Sequence, residues 1–229
     1  MRKTIGFLTM TACLVAAPND KDRRQAAERL TEASTVFSEI MRADDKGIPQ
    51  DLLEKAQCAV IVPGMKKGAF IVGGQFGKGF ITCRGKGDVG WSAPAAIKVE
   101  GGSVGFQIGG SETDVILLVM NQRGADRLMQ SEFTIGGEGE VAAGPVGRQA
   151  SAQTDAKLSA EMLSWSRSRG VFAGIALKGS TLRADKGENE VLYGKELDTR
   201  DVVMGKVTPT PEGRRLISAL TNRSPAEKH

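Results

Sequence analysis

Residues 57–85 read QCAVIVPGMKKGAFIVGGQFGKGFITCRG, and this stretch decides the fold class. Short apolar runs rich in Val, Ile and Phe are cut every few residues by glycine or by Pro-Gly. Glycine and proline inside a helix cost about 1 and 3 kcal/mol, whereas between strands they mark turns. The rhythm is therefore one of strands. Working outward, strands are expected at about 57–62, 69–73, 78–84, 95–99, 103–108 and 115–120, then at 133–135 and 140–143. Residues 161–167 and 171–177, separated by Ser168-Arg169-Gly170, read as a hairpin running on to Leu182. Close spacing of short strands predicts a single α+β domain: an antiparallel β sandwich or barrel-like sheet with an N-terminal amphipathic helix and short peripheral helices.

That N-terminal helix covers 20–42, where Ala27, Leu30, Ala33, Phe37, Ile40 and Met41 recur at helical spacing. Its stripe can pack on the sheet or enter lipid, but Glu28, Glu32 and Glu39 on the polar side argue against a basic membrane-hugging helix. Further helices are expected after Pro49, near 123–130, and from Pro211 to about residue 222. The 229 residues show no internal repeat, no linker and no shift of composition, so one core is expected. Twenty-nine glycines, about double the usual share, imply many turns and close backbone approaches.

Residues 1–17, MRKTIGFLTMTACLVAA, carry a basic start at Arg2 and Lys3 followed by a short apolar stretch, the pattern of an export signal. Within it, Met10-Thr11-Ala12-Cys13 resembles a lipobox, which would make Cys13 a lipidated first residue; the other reading is cleavage after Ala17, which Pro18 disfavours. The expected organisation is 1–17 as signal or lipoprotein segment, 20–205 as binding domain and 206–229 as C-terminal helix and tail. The expected location is exported, periplasmic or membrane-anchored. Without Arg2 and Lys3 the 31 basic residues become 29 against 27 acidic ones, so the net charge drops from +4 to +2 and nucleic acid loses its support as a partner. Cys58 and Cys83 would remain, either as a disulfide or as buried thiols.

Catalysis finds no players. Gly101-Gly102-Ser103-Val104-Gly105 matches a hydrolase elbow pattern, yet a serine nucleophile needs a base and the sole histidine is His229 in the tail. The carboxylates form no spaced pair, no dinucleotide or P-loop glycine pattern occurs, and no CxxC or Cys/His cluster suggests a metal. No catalytic residue, metal or cofactor is expected.

Charge segregation is more informative. From 55 to 87 there are six basic residues, Lys55, Lys66, Lys67, Lys78, Arg84 and Lys86, and no acidic one. Lys66-Lys67-Gly68, Gly77-Lys78-Gly79 and Gly85-Lys86-Gly87 place cations beside glycines, which reads as basic turns gathered at one end of a sheet. Such turns can offer ammonium and backbone N–H groups to phosphate, or simply keep sheet edges soluble. Arg167 and Arg169 at the hairpin tip can join that patch. Candidate lipid or phosphate contacts are therefore Lys66, Lys67, Lys78, Arg84, Lys86, Arg167 and Arg169.

The landmarks also form an ordered series. Ala59-Val60-Ile61-Val62-Pro63-Gly64 with Lys66-Lys67-Gly68, Gly73-Gly74, Gly77-Lys78-Gly79, Trp91-Ser92-Ala93-Pro94, Gly101 to Gly110, Gly144-Pro145-Val146-Gly147-Arg148, Ser166-Arg167-Ser168-Arg169-Gly170-Val171-Phe172-Ala173-Gly174, and Asn189 to Tyr193-Gly194 closely resemble the SYLF domain family from about residue 30 to 205. The resemblance implies a lipid-binding, non-enzymatic module with phosphoinositide-binding and actin-binding eukaryotic members and exported or lipidated bacterial ones. For an exported chain it implies acidic phospholipid headgroups such as phosphatidylglycerol, cardiolipin or lipid A phosphates, and no actin. Trp165 and Leu192 stand where members often carry tyrosine, which leaves a contact from the second phenol without its donor. The competing expectation is an envelope lipoprotein whose domain binds a protein or peptidoglycan.

Overall fold

The computed structural model describes residues 19–43, 47–69, 73–85, 90–103, 109–130, 132–137, 141–144, 160–168, 171–172, 177, 179–205 and 207–224. In chain order the elements are α1 (Asp20–Arg42), α2 (Gln50–Lys55), β1 (Cys58–Ala69), β2 (Gly73–Cys83), β3 (Ala95–Ser103), β4 (Gly109–Val119), α3 (Gln122–Leu128), β5 (Glu132–Thr134), β6 (Val141–Ala143), β7 (Met162–Ser168), β8 (Val171–Phe172), β9 (Ser180–Ala184), α4 (Lys186–Tyr193), α5 (Thr199–Met204) and α6 (Pro211–Arg223).

The strands make one sheet in the order β5-β9-β3-β2-β1-β4-β7-β6, with β8 also on β7. The expected α+β class is observed, as one curled half-barrel sheet and not two stacked ones. Its curl follows from connectivity. Seven strand spacings would hold the β5 and β6 edges about 34 Å apart if flat, whereas the seven steps from Thr134 to Val141 reach at most about 24 Å.

Both faces of the central strands are covered. On β1, Cys58, Val60 and Val62 face a cluster with Ile81, Val115, Leu117, Met162, α3 (Ala125, Leu128) and α5 (Val202, Val203). The alternate residues Ala59 and Ile61, with Phe80, Ile116 and Trp165, face α1 (Leu30, Phe37, Ile40), α2 (Leu52, Leu53) and α6 (Leu216, Leu220). Double burial explains why residues 59–62 and 115–119 are continuously apolar rather than alternating. The stripe of α1 packs on the sheet, as the first of its two readings had it.

Two expectations change. Lys66-Lys67-Gly68 and Gly77-Lys78-Gly79 are not turns: β1 and β2 run through them. The glycines allow close approach, since a Cβ at Gly79 would lie 2.2 Å from the Ile61 carbonyl oxygen and one at Gly77 would lie 2.6 Å from the Val62 side chain. Cys58 and Cys83, register partners in β1 and β2, form a disulfide, which decides between the two states left open by sequence. Helices α4 and α5 lie where sequence reading marked only Asn189 and Tyr193-Gly194.

Candidate functional site

The site begins at a break in β1. Pro63 supplies no N–H, and the register of β1 shifts between Val62 and Met65 against β4, a bulge of the kind that re-aims following side chains. Gly64 takes φ 54° there, and its N–H is donated to Asp114 Oδ1 at 3.0 Å. The other Asp114 oxygen accepts from Arg167 Nη2 at 2.9 Å, and the same nitrogen donates to Glu39 Oε2 at 2.6 Å. Thus β4, β7 and α1 are tied together beside the bulge.

Beyond the bulge, Lys66 lies opposite Glu112 on β4 and Phe76 on β2, and Lys67 opposite Ser111 and Gln75. Lys66, Lys67, Ser111 and Glu112 border a groove of about 630 Å³ whose charged lining is Glu32, Lys66, Lys67, Glu112, Asp114 and Arg167. Lys66, Glu112, Asp114 and Arg167 lie on one face of the sheet, whereas Lys67, next to Lys66 in an unbroken stretch of β1, borders the groove and sends its side chain to the other face. Burial opposes the charge of Arg167, but its bonds to Asp114 and Glu39 outweigh it and hold the guanidinium above its ordinary pKa. Glu32 is pushed up by burial first and then by the charges of Asp114 and Glu112.

The structure places Lys66, Lys67 and Arg167 around this groove and commits Lys78 and Arg84 elsewhere. Lys78 binds Asp185 Oδ2 at 2.8 Å and Glu188 Oε2 at 3.0 Å. Glu188 also accepts from Arg29 of α1, and Asp185 faces Lys98 at 3.3 Å. This network fastens α1 and the start of α4 to the sheet. Burial opposes ionisation of both partners, yet their contacts prevail: Asp185 is held below, and Lys78 above, its ordinary value.

Arg84 is buried against the Trp91 ring, 4.3 Å from its centroid. It donates to the carbonyls of Leu53, Glu54 and Ala56 at the end of α2, and to that of Ser224 at the end of α6. Cationic capping of the carbonyls that helix C-termini leave without an intrahelical donor accounts for this guanidinium. Cys13, Lys86 and Arg169, also expected to act, lie outside the described residues.

Sequence reading missed Glu32, Glu112 and Asp114 as companions of the lysines. Glu112-x-Asp114 has the two-residue period that puts both on one strand face, but nothing local ties them to Lys66. Several landmark residues prove structural. Asn189 accepts the Ala96 N–H at 2.7 Å and donates to the Leu197 carbonyl, Tyr193 donates to the Pro94 carbonyl, and the Trp165 ring lies where a Cβ at Gly144 would stand.

Among the described residues no helix is long and apolar enough to cross a membrane. The family model described as "Ysc84: Las17-binding protein actin regulator" matches residues 100–223. The SH3 domain-containing YSC84-like protein 1 of Xenopus laevis is 32% identical over 201 residues, 87% of this chain and 59% of its own length. The human protein of that name is 32% identical over 191 residues, 83% of this chain and 54% of its own. LAS seventeen-binding protein 3 of Saccharomyces cerevisiae is 34% identical over 185 residues, 79% of this chain and 39% of its own length. The chain therefore spans between two-fifths and three-fifths of these relatives.

Proposed function

The chain belongs to the Ysc84 (SYLF) family, and from that premise we propose that it is a non-enzymatic module that binds anionic phospholipid through Lys66 and Lys67. One observation carries this reading. Of the acid-free segment's described cations on the sheet, Lys78 and Arg84 are committed to Asp185, Glu188 and helix-end carbonyls. Lys66 and Lys67 form no ion pair with a described residue, and Phe76, register partner of Lys66, is 47% exposed. An ammonium group beside an exposed ring, with a second on the neighbouring face, suits a phosphate-bearing apolar boundary, where each cation contributes about 1 kcal/mol. The reading includes export and an acyl anchor at Cys13. A disulfide between Cys58 and Cys83 supports the oxidising compartment that export supplies.

The test is flotation of the protein with vesicles of phosphatidylcholine alone or mixed with phosphatidylglycerol. Binding should need the acidic lipid, fall with salt, and drop at least tenfold in K66E/K67E, because reversing two charges removes more than 1.4 kcal/mol. Equal binding by the variant sinks the reading. A protein partner is the second reading, favoured by the charges of both signs in the groove and by the names of the relatives. In that case vesicle binding would require the acyl chain alone, and crosslinking in cells would capture a protein through Lys67.

A further inference from the structure

The groove holds two carboxylates and two ammonium groups without joining them. Asp114 and Arg167 bind each other and their neighbours Gly64 and Glu39. Glu32 of α1, Glu112 of β4, and Lys66 and Lys67 of β1 remain. None of these four comes within the 4.0 Å of an ion pair with any described residue, although Lys66 and Glu112 are register partners. The Glu112 carboxylate is seated against the backbone of the bulge, where a Cβ on Gly64 would lie 2.6 Å from its Oε1. Charges of both signs thus line one open space of about 630 Å³, within the range of about 300–1,000 Å³ common for ligand sites.

A polyanion would meet Glu32 and Glu112, and a simple cation would meet the lysines. A ligand carrying one charge of each sign meets neither conflict. The groove's own lining carries carboxylates, with the Phe76 ring beside Lys66 outside it; carboxylates accept hydrogen bonds from a primary ammonium, which a quaternary one, having no N–H, cannot offer. We propose that the groove binds a phosphate joined by a short linker to a primary ammonium, the phosphoethanolamine headgroup, with phosphate on Lys66 and ammonium on Glu32 and Glu112, while Lys67 adds its charge from the neighbouring face. The inference rests on the lipid reading of the two lysines and adds the amine. The raised pKa of Glu32, caused by burial and then by Asp114 and Glu112, which together outweigh the lowering by Arg29, accords with a carboxylate that has room for a further cation.

The full chain is floated with vesicles of constant phosphatidylglycerol content whose neutral remainder is phosphatidylcholine or phosphatidylethanolamine. Phosphatidylethanolamine should raise partitioning about tenfold, the effect of one charge-assisted bond of about 1.4 kcal/mol. E32Q/E112Q should erase that increment, so that its binding to the two vesicles becomes equal. Equal binding to both vesicles overturns the headgroup assignment while the lysine reading stands. If K66E/K67E binds as the parent does, the lysine reading falls and a soluble arm decides the inference. There, O-phosphoethanolamine, phosphocholine and inorganic phosphate are titrated by NMR shifts. A preference for O-phosphoethanolamine that E32Q/E112Q abolishes supports a soluble source of the same chemistry, and no preference overturns it.

Discussion

Arg84 and Trp91 stack with the guanidinium 4.3 Å from the ring centroid, and the same guanidinium closes the ends of two helices that are far apart in sequence. Replacing Arg84 by Ala should cost about 3 kcal/mol, because several buried carbonyls lose their donor together. Lysine should rescue little, since a single ammonium cannot reach Leu53, Ala56 and Ser224 from one position. Urea unfolding of R84A and R84K measures both, and limited proteolysis should show α6 released first.

The network around Lys78 makes stability depend on pH in a defined direction. Asp185 sits below its ordinary value of 3.8, so its contribution is complete above that pH and is lost as pH falls through its lower folded value. Lys78 sits above 10.5, so its contribution is complete below that pH and disappears as pH rises through its higher folded value. In K78M the buried carboxylates lose their partner, so the variant should be more destabilised at pH 7 than at pH 3. An equal loss at both pH values would remove the assignment.

The disulfide closes a sequence separation of 25 residues, for which chain entropy gives about 3.5 kcal/mol. Urea midpoints of the C58S/C83S protein, and of the parent after reduction under denaturing conditions, should fall together by that amount. Mild reductant on the folded protein should have little effect, because Cys58 is 0% and Cys83 4% exposed.

Glycines of the sheet should divide into two groups. A Cβ at Gly79 meets backbone, whereas one at Gly102 meets nothing within 4 Å. G79A should lose at least 3 kcal/mol or fail to fold, and G102A should stay within about 0.5 kcal/mol of the parent. Thermal melts of the two purified variants suffice.

The same contrast shows what was legible in the sequence. Runs such as residues 59–62 and 115–119 announce strands because hydrophobicity is local. Gly77-Lys78-Gly79 was misread as a turn because glycine marks both a turn and a close approach, and the carbonyl of Ile61 that forbids a side chain at Gly79 comes from another strand. Lys66 and Lys67 stood out by the absence of acids near them in sequence. Glu32 and Glu112 become their neighbours only after α1 and β4 pack on either side of β1, so the groove's mixed charge could not be read from the segment itself. Asp185 was hidden likewise: as the N-cap of α4 it reads as a helix start, and its bonds to Lys78 and Lys98 depend on the strand order.

That strand order also has a meaning in time. β3 pairs on one side with β2, which precedes it directly, and on the other with β9, which follows some 80 residues later. On a ribosome the growing chain can lay down β1, β2 and β3 in succession, yet the outer edge of β3 has nothing to pair with until residues 180–184 have emerged. Unpaired strand edges recruit other chains. The vulnerable interval is therefore set by translation of residues 104–179, and a chain interrupted within it carries an adhesive edge that the finished protein no longer shows.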